Sequence, residues 1–196
     1  MRRIGALIFD GFEMLDYFGP LQMFAMYPDE FVINALAQDR VPVKASGGPQ
    51  VMPDHGFDDD VAYDLLLVPG GMGTRREVDN PVLLEWLRGA ADRAEIVTSV
   101  CTGSALLARS GVLDGRKATT NKRAFDWVQS QSAEVDWQSC ARWVEDGKFF
   151  TSSGVSAGGG TGSDILMQDM GFGVSQRLEQ ERLKHAREQQ LARTIE

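Results

Sequence analysis

Between Glu95 and Ala108 the chain changes its hydrophobic period within two residues. Ile96-Val97-Thr98-Ser99-Val100 is largely apolar and β-branched, the pattern of a buried parallel strand. From Gly103 onward, Ala105, Leu106, Leu107 and Ala108 follow a helical pattern. Cys101 and Thr102 therefore fall on a tight strand-to-helix turn. Such a turn holds a side chain out above the carboxyl edge of a sheet, as a nucleophile elbow does. The helix behind it would aim N–H groups and its positive end at the sulfur. The thiol is thus expected to ionise below the free-cysteine value of about 8.5. Small residues at Gly103, Ser104 and Ala105 permit close approach of helix, strand and substrate. Position alone leaves a second reading open, a buried structural cysteine.

Strands and helices alternate on both sides of this turn. Ile4–Phe9 reads as a first strand, followed by an Asp10-Gly11-Phe12 loop and a helix carrying Leu21, Phe24 and Ala25. Gly19-Pro20 marks an irregular start or kink in that helix, since proline is tolerated in a first turn and costly inside one. Asp16 lies near the helix start, where its simplest use is a cap. Glu30–Ala37 reads as a second strand, and Val41–Ala45 with Gln50–Pro53 as short edge strands around Gly47-Gly48-Pro49. Asp58, Asp59 and Asp60 do not have calcium-loop spacing and read as a solvated surface. Leu65–Val68 is a buried strand ended by Pro69-Gly70-Gly71, and Asn80-Pro81 opens a helix reaching about Ala94. Lys117–Thr120 is a short strand and Arg123–Gln131 a short helix. Val135–Trp143 and Phe149–Ser152 read as the last strands. The Gly154–Asp164 stretch has no Gly-Lys-Ser/Thr ending and is read as a turn into a helix, and Ser175–Ala192 as a polar helix. This alternation predicts an α/β fold, a three-layer sandwich with a mostly parallel central sheet, formed as one domain over residues 1–196.

Ligands in such sheets bind beyond the carboxyl ends of the strands. Three strand ends then matter: those leading to Asp16, to Gly70-Gly71 and to Cys101. The bulk numbers narrow the partners. A net charge of −8 disfavours a general nucleic-acid or anionic-membrane binder, and the apolar start Ile4–Phe9 is too short to span a bilayer. Two cysteines, Cys101 and Cys140, make no disulfide framework; Cys140 reads as a buried structural residue. No metal-type spacing is present, no cofactor is expected, and a cytoplasmic location is the default. The expected partner is a small-molecule substrate.

Taken together, Leu15-Asp16-Tyr17-Phe18-Gly19-Pro20, Val68-Pro69-Gly70-Gly71, Thr98-Ser99-Val100-Cys101-Thr102-Gly103, Ala118-Thr119-Thr120 and Ser153–Gly158 resemble the ThiJ/PfpI superfamily, relatives of class I glutamine amidotransferases with a flavodoxin-like fold. The Asp-x-x-Gly-Pro and Ser-Val-Cys-Thr-Gly pieces most resemble isocyanide hydratases. The same pieces occur in the amino-terminal domains of AraC-type regulators, which continue into a helix-turn-helix domain; this chain ends at Glu196, and a stand-alone domain is the expectation.

The resemblance implies Cys101 as nucleophile, Asp16 as its acid/base partner, and the backbone N–H groups of Gly71 and Thr102 as the anion-stabilising site. It implies Gly70, Phe18, Asn121 and Val155 around the substrate, although Phe18, Trp127 and Val155 taken alone read as ordinary core. It also implies a homodimer. The chain departs from the pattern at Thr102, which is histidine in the protease-like branch. Asn121 stands where many hydratase relatives carry histidine, and Gly159-Gly160 where they carry aspartate, with Asp164 further on. No Cys–His dyad can be drawn, which weakens a peptidase reading. A hydratase would use Cys101 to attack the terminal carbon of an isocyanide and Asp16 to move the proton. Asp16 would then need a pKa above the reference of about 3.9. A glyoxalase-like enzyme acting on reactive aldehydes, and a non-enzymatic sensor with an oxidisable Cys101, are the other readings.

Overall fold

A computed structural model describes residues 1–154. Val155, Asp164 and the Ser175–Ala192 segment lie outside the described residues.

The main sheet is built from β1 (Arg2–Leu7), β2 (Phe31–Leu36), β5 (Leu65–Val68), β6 (Ile96–Val100), β9 (Trp143–Asp146) and β10 (Phe149–Ser152), in the order β2-β1-β5-β6-β10-β9. All neighbours run parallel except β9, which pairs antiparallel with β10. Two short pairs stand apart: β3 (Val43–Lys44) with β4 (Gln50–Val51), and β7 (Lys117–Ala118) with β8 (Asp136–Trp137). The helices around the sheet are α1 (Met14–Ala25), α2 (Thr74–Glu77), α3 (Pro81–Arg93), α4 (Gly103–Arg109) and α5 (Phe125–Gln129), the last preceded by a 3-10 turn at Lys122–Ala124. This is the mostly parallel α/β architecture expected. β5 and β6 are buried at every position, as central strands covered on both faces must be.

The chain places β2 on one side of β1 and β5 on the other. The loops leaving β1 and β5 therefore diverge and open a crevice at the carboxyl edge. Backbone bonds stitch the two loops together there: Glu13 N–H donates to Gly70 O at 2.8 Å, and Gly73 N–H to Gly11 O at 3.2 Å. Cys101 leaves β6 beside them.

Several boundaries differ from the sequence reading. The first strand is Arg2–Leu7 rather than Ile4–Phe9, because parallel pairing with Phe31–Leu36 carries the two arginines into the ladder. Helix α1 runs through Pro20 instead of beginning or breaking there; Tyr17, Leu21 and Phe24 bury the same helix face and hold it. Val135–Trp143 is not one strand. Thr119 Oγ1 donates toward Gln138 O and Ala141 O at 2.8 and 3.0 Å, which holds a turn between β8 and β9. Cys140 sits on that turn and is exposed, not a buried structural residue. Asp59 is more than solvated surface: it accepts from Gly56 N at 2.9 Å and pairs with Arg40.

Helix α4 packs directly on the end of β5. A Cβ added to Gly103 would lie 2.2 Å from Val68 O and 2.8 Å from Pro69 O, both backbone atoms. Gly103→Ala is therefore expected to destabilise the protein by about 1–3 kcal/mol, read as a lower urea midpoint. An unchanged midpoint would refute this account of the packing.

Candidate active site

The elbow at Cys101 has φ of 57°, and among the described residues no other non-glycine has a positive φ. That conformation costs on the order of 1–3 kcal/mol for a residue with a Cβ and persists only where its surroundings enforce it. Here Cys101 N–H donates to Ser152 O at 2.9 Å. Its carbonyl accepts from Thr120 Oγ1 at 2.9 Å and from Ser104 Oγ at 3.2 Å. The backbone is thus gripped from β10, from the segment after β7 and from α4. Thr120 and Ser104 were not singled out as site residues in the sequence. Only the Thr119-Thr120 pair in the resemblance marked the first, and a serine in a helix turn carries no signal of its own.

Two glycines let the loops close on the cysteine. A Cβ on Gly70 would meet Thr102 N at 2.7 Å, Asp16 Oδ2 at 2.8 Å and Cys101 Cβ at 2.8 Å. A Cβ on Gly154 would meet Cys101 Cβ at 2.5 Å. Gly70 is the thin partition through which Asp16 and Cys101 approach each other.

Asp16 lies in the first turn of α1, but it is no cap. The cap position is Glu13, and the Asp16 side chain is turned inward and 1% exposed. Both its oxygens are buried and make no hydrogen bond of ordinary geometry among the described residues. Burial and the charge of Glu13 push its pKa up to about 7. The Cys101 thiol and the Gly70 N–H oppose that rise only in part. This is the direction expected of a group that must serve as both acid and base near neutral pH.

The sulfur departs from expectation. Burial and the charge of Asp16 push the Cys101 thiol up to about 12, although the Thr102 N–H and the Asn121 amide pull the other way. Helix α4 has only seven residues, and its end does not outweigh desolvation. The resting pair is therefore a neutral thiol beside a carboxyl that titrates near neutrality, not a preformed thiolate.

Asn121 Nδ2 donates to Cys101 Sγ at 3.0 Å, which brings this residue to the reacting atom. Of the expected backbone donor pair, Thr102 N–H acts on the sulfur, whereas Gly71 N–H is engaged elsewhere. It donates to Thr102 Oγ1 at 3.0 Å. Thr74 Oγ1 lies 2.7 Å from Gly71 O and 3.1 Å from Thr102 Oγ1, completing a hydroxyl cluster that joins the two loops. Phe18 is 48% exposed and packs edge-on against Tyr17, so it is surface rather than core. Trp127 is half-buried, with the Arg75 guanidinium 4.6 Å above its ring. His55 pairs with Asp59 at 3.5 Å, and no group of three or more metal-ligating side chains occurs among the described residues. No helix among them is long and apolar enough to cross a membrane.

Comparisons with known proteins identify the family. The family model described as DJ-1/PfpI family matches residues 2–167. The chain is 36% identical to an isonitrile hydratase of Pseudomonas putida over 156 residues, which cover 80% of this chain and 67% of that protein. It is 30% identical to the HTH-type transcriptional regulator CdhR of Pseudomonas aeruginosa over 168 residues, 84% of this chain but 48% of the regulator. Relatives named as a deglycase and a glutathione-independent glyoxalase also match. The crystal structure of a THiJ/PfpI family protein from Pseudomonas syringae superposes with a TM-score of 0.73 at 28% identity, over 86% of this chain and 69% of that one.

The position of Asp16 makes stability depend on pH in a defined sense. Its pKa is raised on folding, so its share of stability is complete below pH 3.8 and is lost as pH rises through about 7. Asp16→Asn removes that loss. Thermal unfolding between about pH 4 and pH 8 should show the variant gaining on wild type as pH rises, by up to a few kcal/mol. A difference between the two proteins that does not change with pH would contradict the assignment.

Proposed function

The chain belongs to the DJ-1/PfpI family, and from that premise we propose that it is an isocyanide hydratase, converting R–N≡C to an N-substituted formamide. The observation that carries the reading is the isolated pair itself: a thiol and a buried, unbonded carboxyl of pKa about 7 packed around Gly70. The isonitrile hydratase relative supports it.

The terminal carbon of an isocyanide accepts a nucleophile and a proton at the same atom. A neutral thiol already holds both. Protonated Asp16 gives its proton to that carbon as Cys101 Sγ bonds to it, and the S–H proton replaces the one Asp16 has lost. The product is a thioimidate, R–N=CH–S–Cys101, and no proton has entered or left the site. Asp16, protonated again, then gives its proton to the imine nitrogen and takes one from water as the water oxygen adds to the same carbon. Collapse of R–NH–CH(OH)–S–Cys101 breaks the C–S bond and returns the hydroxyl proton to sulfur, directly or through Asp16. R–NH–CHO leaves. Each step needs Asp16 to change protonation state near neutral pH, which a carboxyl with its ordinary pKa would do poorly.

The resting thiol need not ionise in advance, because proton transfer to carbon and attack by sulfur are coupled. Asn121 and the Thr102 N–H sit where negative charge develops on sulfur as its proton leaves. Gly70 belongs to the reading as the residue that leaves room for the substrate carbon between the two groups. Phe18 and Val155 remain proposed wall residues. A homodimer is part of the same proposal, tested by light scattering.

Formamide production from a simple alkyl or aryl isocyanide, followed by chromatography, tests the assignment. Wild type should turn over. Cys101→Ala should show none, and Asp16→Asn should lose about 100- to 10,000-fold in kcat. Turnover surviving Cys101→Ala would exclude the covalent route, and an inactive wild type would overturn the hydratase reading.

A further inference from the structure

Asn121 does more than lie near the substrate. The two ends of an asparagine amide are told apart by their hydrogen bonds, and here the oxygen end decides the matter. Oδ1 accepts from Arg123 N at 2.9 Å and from Ala124 N at 3.3 Å, capping the 3-10 turn that leads into α5. Reversing the amide would set an NH2 group against two backbone N–H donors. The group facing Cys101 Sγ at 3.0 Å is therefore always a donor.

A second donor, the Thr102 N–H, also acts on the sulfur. Neither can receive the thiol proton. Among the described residues that act on Sγ, this leaves the carboxyl of Asp16, whose oxygens make no competing hydrogen bond there. We propose that Asn121 is a positioning residue that aims the Cys101 S–H bond at Asp16, so that the thiol proton leaves toward that carboxyl and nowhere else.

The contrast with an imidazole at this position gives the proposal its content. A histidine could accept the thiol proton and form a thiolate–imidazolium pair, with its own titration near neutrality. An amide neither accepts that proton nor titrates. The reactivity of Cys101 toward any electrophile should then follow the Asp16–Cys101 pair alone. Other charges nearby are accounted for: Glu13 acts on Asp16, and the Lys122 ammonium donates to Thr119 Oγ1 at 2.7 Å. The use of the proton rests on the hydratase reading, but its direction does not, and the test separates the two.

The test is the rate of Cys101 alkylation by iodoacetamide as a function of pH, in a Cys140→Ser background, for wild type, Asn121→Asp and Asn121→His. Aspartate keeps the capping oxygen and the shape, so the turn should stay folded, but it replaces the donor at sulfur with an acceptor. Asn121→Asp should alkylate at least about tenfold more slowly near pH 8, with its curve displaced to higher pH. Asn121→His should add a step near pH 6–7 that wild type lacks. Formamide turnover should fall in kcat with little change in KM. Should Asn121→Asp lose its thermal transition, Asn121→Ser keeps a capping hydroxyl too short to reach the sulfur and should show the same slowing. Alkylation by the folded variants within twofold of wild type, on an unmoved pH curve, would overturn the proposal. If wild type makes no formamide, the hydratase reading fails, and the alkylation curves still decide the role of Asn121.

Discussion

The carboxyl edge of this sheet depends on one backbone torsion. Cys101 sits at φ 57° between a buried strand and a short helix, and that value turns its side chain out over the crevice. A residue with a Cβ does not remain there without help. Help comes from three directions at once: a main-chain bond to Ser152 and hydroxyl bonds from Thr120 and Ser104. Ser152 is fixed by strand pairing and Ser104 by its helix, and Thr120 is buried just after β7. The strain is thus held by the whole sheet rather than by the loop, and the sulfur is placed before any substrate arrives.

The electrostatics follow from how tightly that place is enclosed. Gly70 and Gly154 let two loops close on the cysteine, and the same enclosure removes water from the thiol and the carboxyl together. Desolvation raises both pKa values, and the field of a seven-residue helix is too small to reverse it at sulfur. The site therefore stores protons instead of charge. For chemistry that must deliver a nucleophile and a proton to one atom, a neutral thiol beside a carboxyl poised near neutrality suits the task better than a preformed thiolate.

Much of this was legible in the residues. The change of period at Val100–Gly103 located the elbow, and the Pro69-Gly70-Gly71 strand end located the loop that faces it. What escaped was contextual. Position alone made Asp16 look like a cap, and only the resemblance gave it an acid/base role; the fold turns its side chain inward. Cys140 looked buried because free cysteines usually are; the hydroxyl of Thr119, many residues earlier in the chain, holds the turn that exposes it. The thiol pKa was misjudged for a related reason. A helix end can be read from local sequence, whereas burial depends on glycines contributed by distant loops.

The cluster of the Thr102 and Thr74 hydroxyls with the Gly71 backbone bears on which relatives this site can be turned into. The protease-like branch places histidine directly after the cysteine, where this chain uses Thr102 to clasp the glycine loop. Exchanging one for the other would bring a base to the sulfur and at the same moment unfasten the loop that holds Gly70 against it. The two designs are separated by more than one substitution, because the position that would supply the new chemistry already serves as the latch of the old site.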